Sequence, residues 1–247
     1  MILRSLRDLF FKVRYGFKGV PFKIGDKTIR LDESLRRWNI ASESGVHQIL
    51  ADYLQPGDIF IDIGANFGLH SLYAAQLVGN KGHVFAFEPV PATLKLLKVN
   101  IELNDLYQQV TIVPKSLSNS PETSVTFYIP PEEVAVTAAL QPYSENVQTI
   151  KVANVRLDDY WDTINMPVKL IKIDVEGAEL EVLRGAEKLL AQCKPVLLIE
   201  VHGFALPNFN ASVKDLRNFL REHGYQERLL EGEHCRGEEY FHALYSC

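Results

Sequence analysis

The segment Asp58-Ile-Phe-Ile-Asp-Ile-Gly-Ala-Asn-Phe-Gly68 joins a short apolar run to an acidic residue and a turn with two glycines. The β-branched and aromatic residues 59–63 predict a strand that is buried on both faces within a parallel sheet. Gly64 and Gly68 have no Cβ, so they permit a sharp turn and let a ligand approach the main chain. Apolar residues at helical spacing then predict a helix over about residues 66–78, whose N-terminal amides point toward the strand ends. The segment therefore predicts a nucleotide-type cofactor above a parallel sheet.

The composition fits one α/β domain of ordinary globular type. A chain of 247 residues can build one sizeable core, and 47% hydrophobic with 23% charged residues are the usual proportions of a soluble protein. A net charge of −5 does not favour a nucleic-acid partner. The three cysteines are scattered and form no CxxC pair, which indicates a reducing compartment and predicts a cytoplasmic protein.

The N-terminal residues predict an amphipathic helix with a basic face. Apolar residues recur at helical spacing over residues 2–18 and are interleaved with five basic side chains, unlike a signal peptide. No run reaches the roughly 20 apolar residues of a membrane span. Such a helix most often docks on the core or in a homodimer, and the alternative is peripheral contact with an anionic membrane. We predict an extension over residues 1–43, which includes a hairpin at 22–31 with its turn at Gly25-Asp26.

Strands and helices alternate over residues 44–247, a pattern typical of a parallel sheet with crossover helices. The predicted strands cover residues 59–63, 82–87, 110–113, 168–174 and 195–201, and the predicted helices cover residues 44–54, 66–78, 91–104, 178–192 and 212–224. Two alternating runs separated by Pro130-Pro131 predict a small antiparallel insertion at about residues 121–155. A final antiparallel pair is predicted over residues 226–230 and 240–245.

Four predicted strands end in acidic residues, at the edge where open α/β sheets bind their ligands. These residues are Asp62, Glu88, Asp174 and Glu200, the last within Glu200-Val-His202. Glu88 stands about 20 residues beyond the glycine turn, a spacing that suits the ribose hydroxyls of a nucleoside. NAD enzymes and S-adenosylmethionine enzymes share this feature, so Glu88 alone does not separate them.

The turn favours S-adenosylmethionine. A dinucleotide fingerprint, G-x-G-x-x-G, needs a middle glycine for the close approach of a pyrophosphate, whereas Asn66 stands at that position here. Asp62 offers a negative charge that suits an ammonium or sulfonium group. Two alternatives to an S-adenosylmethionine enzyme remain. One is an NAD-dependent oxidoreductase, and the other is a non-catalytic binding protein of methyltransferase-like fold.

Together with further motifs, this segment resembles the FkbM-type methyltransferase family over about residues 45–203. The motifs are Phe87-Glu88-Pro89, Leu157-Asp158-Asp159, Lys172-Ile-Asp-Val-Glu-Gly-Ala-Glu179 and Glu200-Val-His202. The resemblance implies a class I methyltransferase fold, a Rossmann-like α/β architecture whose mostly parallel seven-stranded sheet has helices on both faces. It also implies S-adenosylmethionine as methyl donor and a small-molecule or carbohydrate acceptor, usually methylated on a hydroxyl of a sugar, glycan or secondary metabolite.

The resemblance further implies which residues bind the cofactor. Asp62, Gly64, Asn66 and Gly68 would surround its methionine part, Glu88 would hold the ribose, Ser116 and Leu117 would lie near the adenine, and Asp174 would lie close to the amine or the acceptor.

Methyl transfer from a sulfonium requires mainly in-line positioning of the acceptor oxygen and removal of its proton. His202 is the first candidate for the base, because an imidazole titrates near neutral pH. Asp174 and Glu200 are further candidates, and His70 is a weaker one.

A divalent cation is the alternative device for deprotonation. Mg²⁺ or Mn²⁺ could bind the acceptor hydroxyl and lower its pKa. The candidate ligands are Asp174, Glu176, Glu200 and His202. The purely structural interpretation is that Glu176 and Glu179 stabilise the N-terminus of the next helix and that Glu200 pairs with Lys172.

Overall fold

The computed structural model describes Arg14 and residues 18–39, 43–129, 148–164, 166–230 and 237–247. Apart from positions 14 and 18, the predicted N-terminal helix lies outside these residues. The described strands are β1 (Val20–Ile24), β2 (Lys27–Leu31), β3 (Ile59–Ile63), β4 (His83–Phe87), β5 (Val110–Val113), β6 (Ser116–Leu117), β7 (Ser124–Ile129), β8 (Gln148–Val155), β9 (Leu170–Ile173), β10 (Val196–Val201), β11 (Gln226–Leu229) and β12 (Phe241–Ser246). The described α-helices are α1 (Ser44–Tyr53), α2 (Leu69–Val78), α3 (Pro91–Leu103), α4 (Leu157–Ile164), α5 (Glu179–Arg184), α6 (Glu187–Cys193) and α7 (Val213–Glu222).

A seven-stranded sheet in the order β11-β12-β10-β9-β3-β4-β5 forms the centre of the molecule. The pairs from β10 through β9, β3 and β4 to β5 are parallel, and β12 is antiparallel to both of its neighbours. The predicted mostly parallel α/β fold is therefore confirmed. The chain leaves β3 toward β4 and β5 and later returns to β9 on the other side of β3. This reversal of strand order opens a crevice above the carboxyl ends of β3 and β9, where doubly wound sheets bind their ligands.

Strand β3 is buried along its whole length because helices cover both faces of the sheet. Ile61 belongs to the apolar cluster that includes α5, α6 and α7, whereas its neighbour Phe60 belongs to the cluster that includes α1, α2 and α3. Adjacent side chains of a strand point to opposite faces, so an unbroken apolar run can fill both layers.

The hairpin of β1 and β2 is confirmed, and α3 holds it in place. Asn104 Oδ1 accepts a hydrogen bond of 2.8 Å from the Arg30 amide, and Asn104 Nδ2 donates one of 2.7 Å to the Arg30 carbonyl. Asn100, which is fully buried, accepts from the Asp32 amide and donates to the Phe67 carbonyl, each at 2.7 Å. A buried amide side chain thus connects the hairpin to the glycine turn of β3.

The prediction of one continuous helix over residues 178–192 is wrong, because the structure has two helices there, α5 and α6, which separate at Gly185. A Cβ on Gly185 would lie 2.6 Å from the Ser118 carbonyl oxygen, and the Asp158 amide donates to the Gly185 carbonyl at 2.9 Å. The Asp158 carboxylate then accepts from the amides of Lys188 and Leu189, each at 2.9 Å. This side chain caps the start of α6, so the acidic motif after β8 has a structural role.

The insertion begins as predicted, with β7 and β8 antiparallel, and residues 130–147 lie outside the described chain. The short strand β6, which pairs in parallel with β8, was absent from the sequence-based prediction. Within the described ranges, no helix combines the length and the apolar character needed to cross a membrane.

Candidate functional site

A cleft lies above the crevice between β3 and β9. Its walls come from the segments that follow β3, β4, β5, β9 and β10, together with Trp38, Glu43 and His70. Among the predicted site residues, those that line the cleft are Gly64, Asn66, Glu88, Ser116, Leu117, Asp174, Glu176 and Glu200. Asp62, Gly68 and His202 lie behind this wall. The carboxyl ends of the strands therefore bring most of the predicted residues together.

The turn after β3 requires its glycines for two separate reasons. Gly64 has φ 79°, and a Cβ there would lie 1.9 Å from the Asp174 carbonyl oxygen. Gly68 has φ 92°, and a Cβ there would lie 2.4 Å from Leu97 Cδ1. Asn66 has φ 52°, a left-handed conformation that asparagine tolerates better than most residues. The amino-acid choice at all three positions thus follows from the backbone, and it leaves the main chain of the turn open to the cleft.

Glu88 is fixed at the wall of the cleft by three donors. Its Oε2 accepts from the Asn66 amide at 2.9 Å, and its Oε1 accepts from the Val90 amide and from Thr93 Oγ1, each at 2.8 Å. Burial raises the pKa of Glu88 to about 6, although these donors oppose the rise. A carboxylate offers about four acceptor positions, so Glu88 retains the capacity for one further hydroxyl donor.

Lys172 neutralises the acidic ends of β3 and β9. Its Nζ donates to Asp174 Oδ2 at 3.0 Å and lies 3.8 Å from Asp62 Oδ1, and Asp62 Oδ2 accepts from Ser71 Oγ at 2.6 Å. Burial lowers the pKa of Lys172, but Asp174 and Asp62 together raise it above its ordinary value. Asp62 is completely buried, so the expectation that its charge faces the cofactor directly does not fit this placement. Asp62 instead stabilises the ammonium of Lys172, which donates a hydrogen bond to Asp174.

His202 lies among three carboxylates behind the cleft. Its Nδ1 is 2.8 Å from Glu179 Oε1, and its Nε2 is 3.5 Å from both Glu176 Oε2 and Glu200 Oε1. Burial lowers the pKa of His202, but Glu179 and Glu200 raise it to about 11. The ring therefore carries both protons at neutral pH and cannot accept another. This arrangement argues against His202 as the base that the sequence analysis placed first.

Of the two structural expectations about this region, the one for Glu179 agrees with the structure and the one for Glu200 is wrong. Glu179 begins α5 as expected, but it is fully buried and its Oε1 also accepts from the Gly177 amide at 2.9 Å. Glu200 does not pair with Lys172. It accepts a short hydrogen bond from the Tyr240 hydroxyl, and its Oε2 lies 3.0 Å from His242 Nε2. Both carboxylates therefore belong to the hydrogen-bonded network that includes His202.

Glu176 faces the cleft from a strained backbone position. Its φ is 54°, and Gly177 after it has φ 104°, where a Cβ would lie 2.7 Å from Ala205 Cβ. Burial raises the pKa of Glu176 to about 7, although His202 opposes the rise. A non-glycine residue held in this conformation, with a carboxyl group that titrates near neutrality, is typical of a functional site.

Ligand atoms of Asp174, Glu200 and His202 all lie within 4.8 Å of one another. These residue types suit a hard divalent cation. The ammonium of Lys172 and the imidazolium of His202 already neutralise part of this charge, so a metal would require His202 to lose a proton.

The cleft also contains His70, the weaker candidate for the base, paired with Glu43, a residue that no sequence motif indicated. Glu43 Oε2 lies 3.6 Å from His70 Nε2, and this interaction is the main cause that lowers the pKa of Glu43. Trp38 packs edge-on against Phe67, with ring centroids 4.8 Å apart. No motif marked Trp38 or Glu43, because only packing of the hairpin and α1 brings them to the cleft.

Comparison with known proteins gives concordant matches. Residues 62–227 match the family model described as the Methyltransferase FkbM domain. The chain is 28% identical to the hexuronic acid methyltransferase AglP of Haloferax volcanii over 193 residues, which are 78% of this chain and 73% of that protein. It is 25% identical to the 31-O-demethyl-FK506 methyltransferase FkbM of Streptomyces tacrolimicus over 70% of this chain and 74% of that protein.

A solved structure of methyltransferase FkbM from Methylobacillus flagellatus superposes with a TM-score of 0.51. The two chains are 17% identical, and the match covers 83% of this chain and 51% of the solved one. This likeness concerns the fold alone.

Proposed function

The chain belongs to the FkbM methyltransferase domain family, and from this premise we propose that it transfers the methyl group of S-adenosylmethionine to a hydroxyl oxygen of a sugar or another small molecule. Membership makes it an S-adenosylmethionine-dependent methyltransferase and gives no support to the oxidoreductase alternative. The hydroxyl acceptor is the proposed part. Two relatives, one named for a hexuronic acid and one for a 31-O-demethyl compound, support it.

The observation that carries the proposal is the fit of the cleft to this cofactor. Residues 64–66 line the cleft, so a ligand can approach their main chain, and Glu88 has room for one ribose hydroxyl. Ser116 and Leu117 would lie near the adenine. The carboxylates of Asp174, Glu176 and Glu200 complement the sulfonium and ammonium charges of the cofactor. When bound, S-adenosylmethionine supplies an electrophilic methyl carbon, so the protein has to position the acceptor and remove its proton.

Glu176 is the residue best placed to accept that proton. It lines the cleft, and its raised pKa makes it a stronger base than an ordinary carboxylate at neutral pH. Asp174 accepts from Lys172, and Glu200 accepts from Tyr240, so both already have fixed partners. His202 is placed to orient Glu176 and Glu200 through its charge.

A second candidate mechanism uses a divalent cation. The close approach of ligand atoms from Asp174, Glu200 and His202 favours it. Bound Mg²⁺ or Mn²⁺ would lower the pKa of the acceptor hydroxyl and replace the need for a protein base. Turnover measured before and after EDTA treatment separates the two mechanisms. Activity that survives chelation supports Glu176, and activity that chelation removes and Mg²⁺ restores supports the metal.

Transfer of a labelled methyl group tests the proposed function. The full-length protein is incubated with S-adenosylmethionine labelled in its methyl group and with a cell extract freed of macromolecular methyltransferases. We expect label in a small-molecule or glycan product that resists mild alkali, as an ether does. The Glu88→Gln variant, in which we expect weaker donor binding, serves as the control at a donor concentration near the dissociation constant of the wild type. Label that alkali releases would indicate a carboxyl ester, and the absence of any label would contradict methyl transfer to these acceptors.

A further inference from the structure

The end of the cleft opposite Ser116 and Leu117 is bounded by carboxylates. Asp174, Glu176 and Glu200 reach it from the ends of β9 and β10, and Glu43 reaches it from the start of α1. The charge of Glu43 interacts with those of Glu200 and Lys172, which places these groups in one neighbourhood. We call these four acidic residues, with Trp38 and His70, the acceptor wall. Glu43 and Trp38 precede the segment that matches the family model.

The cations near the acceptor wall already pair with other groups or lie away from it. Lys172 lies between Asp62 and Asp174 and is 3% exposed. His202 is also 3% exposed, lies against Glu179 and does not line the cleft. Lys115 lines the cleft next to Ser116, at its other end. Among the described residues, the acceptor wall therefore offers no unneutralised cation to an anionic acceptor.

Two ring nitrogens in the acceptor wall indicate a hydroxylated ligand. Trp38 Nε1 and His70 Nδ1 are buried and have no hydrogen-bond partner among the described residues, although both rings line the cleft. An indole N–H is a donor only, and a histidine ring nitrogen can donate or accept. Carboxylates accept hydrogen bonds from hydroxyl groups. The wall thus presents both acceptors and donors, together with an aromatic surface, to a compound with several hydroxyls.

We propose that the acceptor is a neutral polyhydroxylated compound, such as a carbohydrate unit without carboxylate or phosphate, and that Glu43 and His70 select it. This inference rests on the proposed function and narrows its substrate class. An anionic acceptor would meet like charges from Glu43, Glu176 and Glu200, and like-charge juxtaposition is strongly unfavourable in a desolvated site. In this respect the chain differs from its relative named for a hexuronic acid, which is an acidic sugar.

The charge of the labelled acceptor unit tests the proposal. Products labelled by the full-length protein and methyl-tritiated S-adenosylmethionine are hydrolysed with acid under conditions that break glycosidic bonds and leave methyl ethers and phosphate monoesters intact. The labelled unit is then passed over an anion exchanger at pH 7. We expect the label in the unretained fraction. Label that is retained as a uronic acid or as a sugar phosphate would overturn the inference while leaving the proposed function intact, whereas no transfer to any product would overturn both.

Variants of Glu43 test its role in selection. The acceptor from the unretained fraction is supplied at limiting concentration. Glu43→Lys should then lower kcat/KM by roughly 100-fold, because the substitution replaces a carboxylate that can accept from a hydroxyl with an ammonium and breaks the pair with His70. Its affinity for S-adenosylhomocysteine and its melting temperature should stay close to those of the wild type. Asp52→Asn, an exposed charge change at the far end of α1, is the matched control and should retain full activity. Equal kcat/KM for Glu43→Lys and the control would overturn the assignment of Glu43.

Discussion

Replacing Glu179 with glutamine should destabilise the protein strongly, although Glu179 does not touch the cleft. The carboxylate is fully buried, accepts from the Gly177 amide and lies 2.8 Å from Nδ1 of His202. The substitution removes the shortest carboxylate contact of the His202 ring and leaves Glu176 and Glu200 at 3.5 Å from Nε2. Breaking a buried charged pair typically costs about 3–5 kcal/mol. For a chain of this size, that corresponds to a fall of roughly 6–20 °C in melting temperature.

The loss should depend on pH with a defined sign. The pKa of His202 is about 11 in the folded chain, against an ordinary value of 6.5. The stabilisation that comes from protonated His202 is therefore complete below pH 6.5 and is lost as the pH rises through about 11. Each pH unit in this range removes up to about 1.4 kcal/mol of the free energy of unfolding. The difference between wild type and Glu179→Gln should be largest at pH 6 and should narrow toward pH 10.

Urea denaturation at pH 6, 8 and 10 measures this dependence. Glu181→Gln is the matched control, because Glu181 lies on the same helix and makes an exposed pair with Arg184 at 2.8 Å. Such surface pairs contribute about 0–1 kcal/mol, so the control should stay close to wild type at every pH. If Glu179→Gln lost less than about 1 kcal/mol at pH 6, or lost the same amount at pH 6 and pH 10, the assignment of a buried imidazolium would be refuted.

Three further predictions concern the cleft. Gly64→Ala should unfold at a lower urea concentration than Gly79→Ala. An alanine at either position has a positive φ, which costs about 1–2 kcal/mol, but only the Cβ at position 64 also clashes with the Asp174 carbonyl oxygen. Equal urea midpoints of the two variants would contradict this close approach. Glu88→Gln should weaken S-adenosylmethionine binding roughly 10- to 100-fold in a calorimetric titration, because hydrogen bonds to a charged group contribute about 1.5–3 kcal/mol. Unchanged affinity would remove Glu88 from the ribose. The rate of the wild type should rise with pH through about 7, where the pKa of Glu176 lies. Glu176→Gln should lose this pH dependence, and its rate should be about 10²–10⁴-fold lower. A pH profile that the variant retains would exclude Glu176 as the base.

The fold could be predicted because its determinants are local. The apolar run of β3, the glycines after it and the alternation of strands and helices specify the sheet without knowledge of distant contacts. Residues at the ends of parallel strands necessarily meet at one edge, so Glu88, Asp174 and Glu200 could be placed together from sequence alone.

The remaining features depend on contacts between distant segments. Two neighbouring carboxylates, rather than its place in the sequence, determine that His202 is protonated. Trp38 and Glu43 reach the cleft only through the packing of the hairpin and of α1. One signal was available: Lys172 stands within the apolar strand β9, and a lysine in a buried strand requires a carboxylate partner. Asp62, directly opposite Lys172 in the register of β3 and β9, is that partner.

A crystal structure of the full chain with S-adenosylhomocysteine is the most direct test of the cofactor assignment. We predict the ribose hydroxyls within hydrogen-bonding distance of Glu88, the amino-acid part against the main chain of residues 64–66, and the sulfur facing the acceptor wall. Binding outside the crevice between β3 and β9, or a ribose without contact to Glu88, would contradict it.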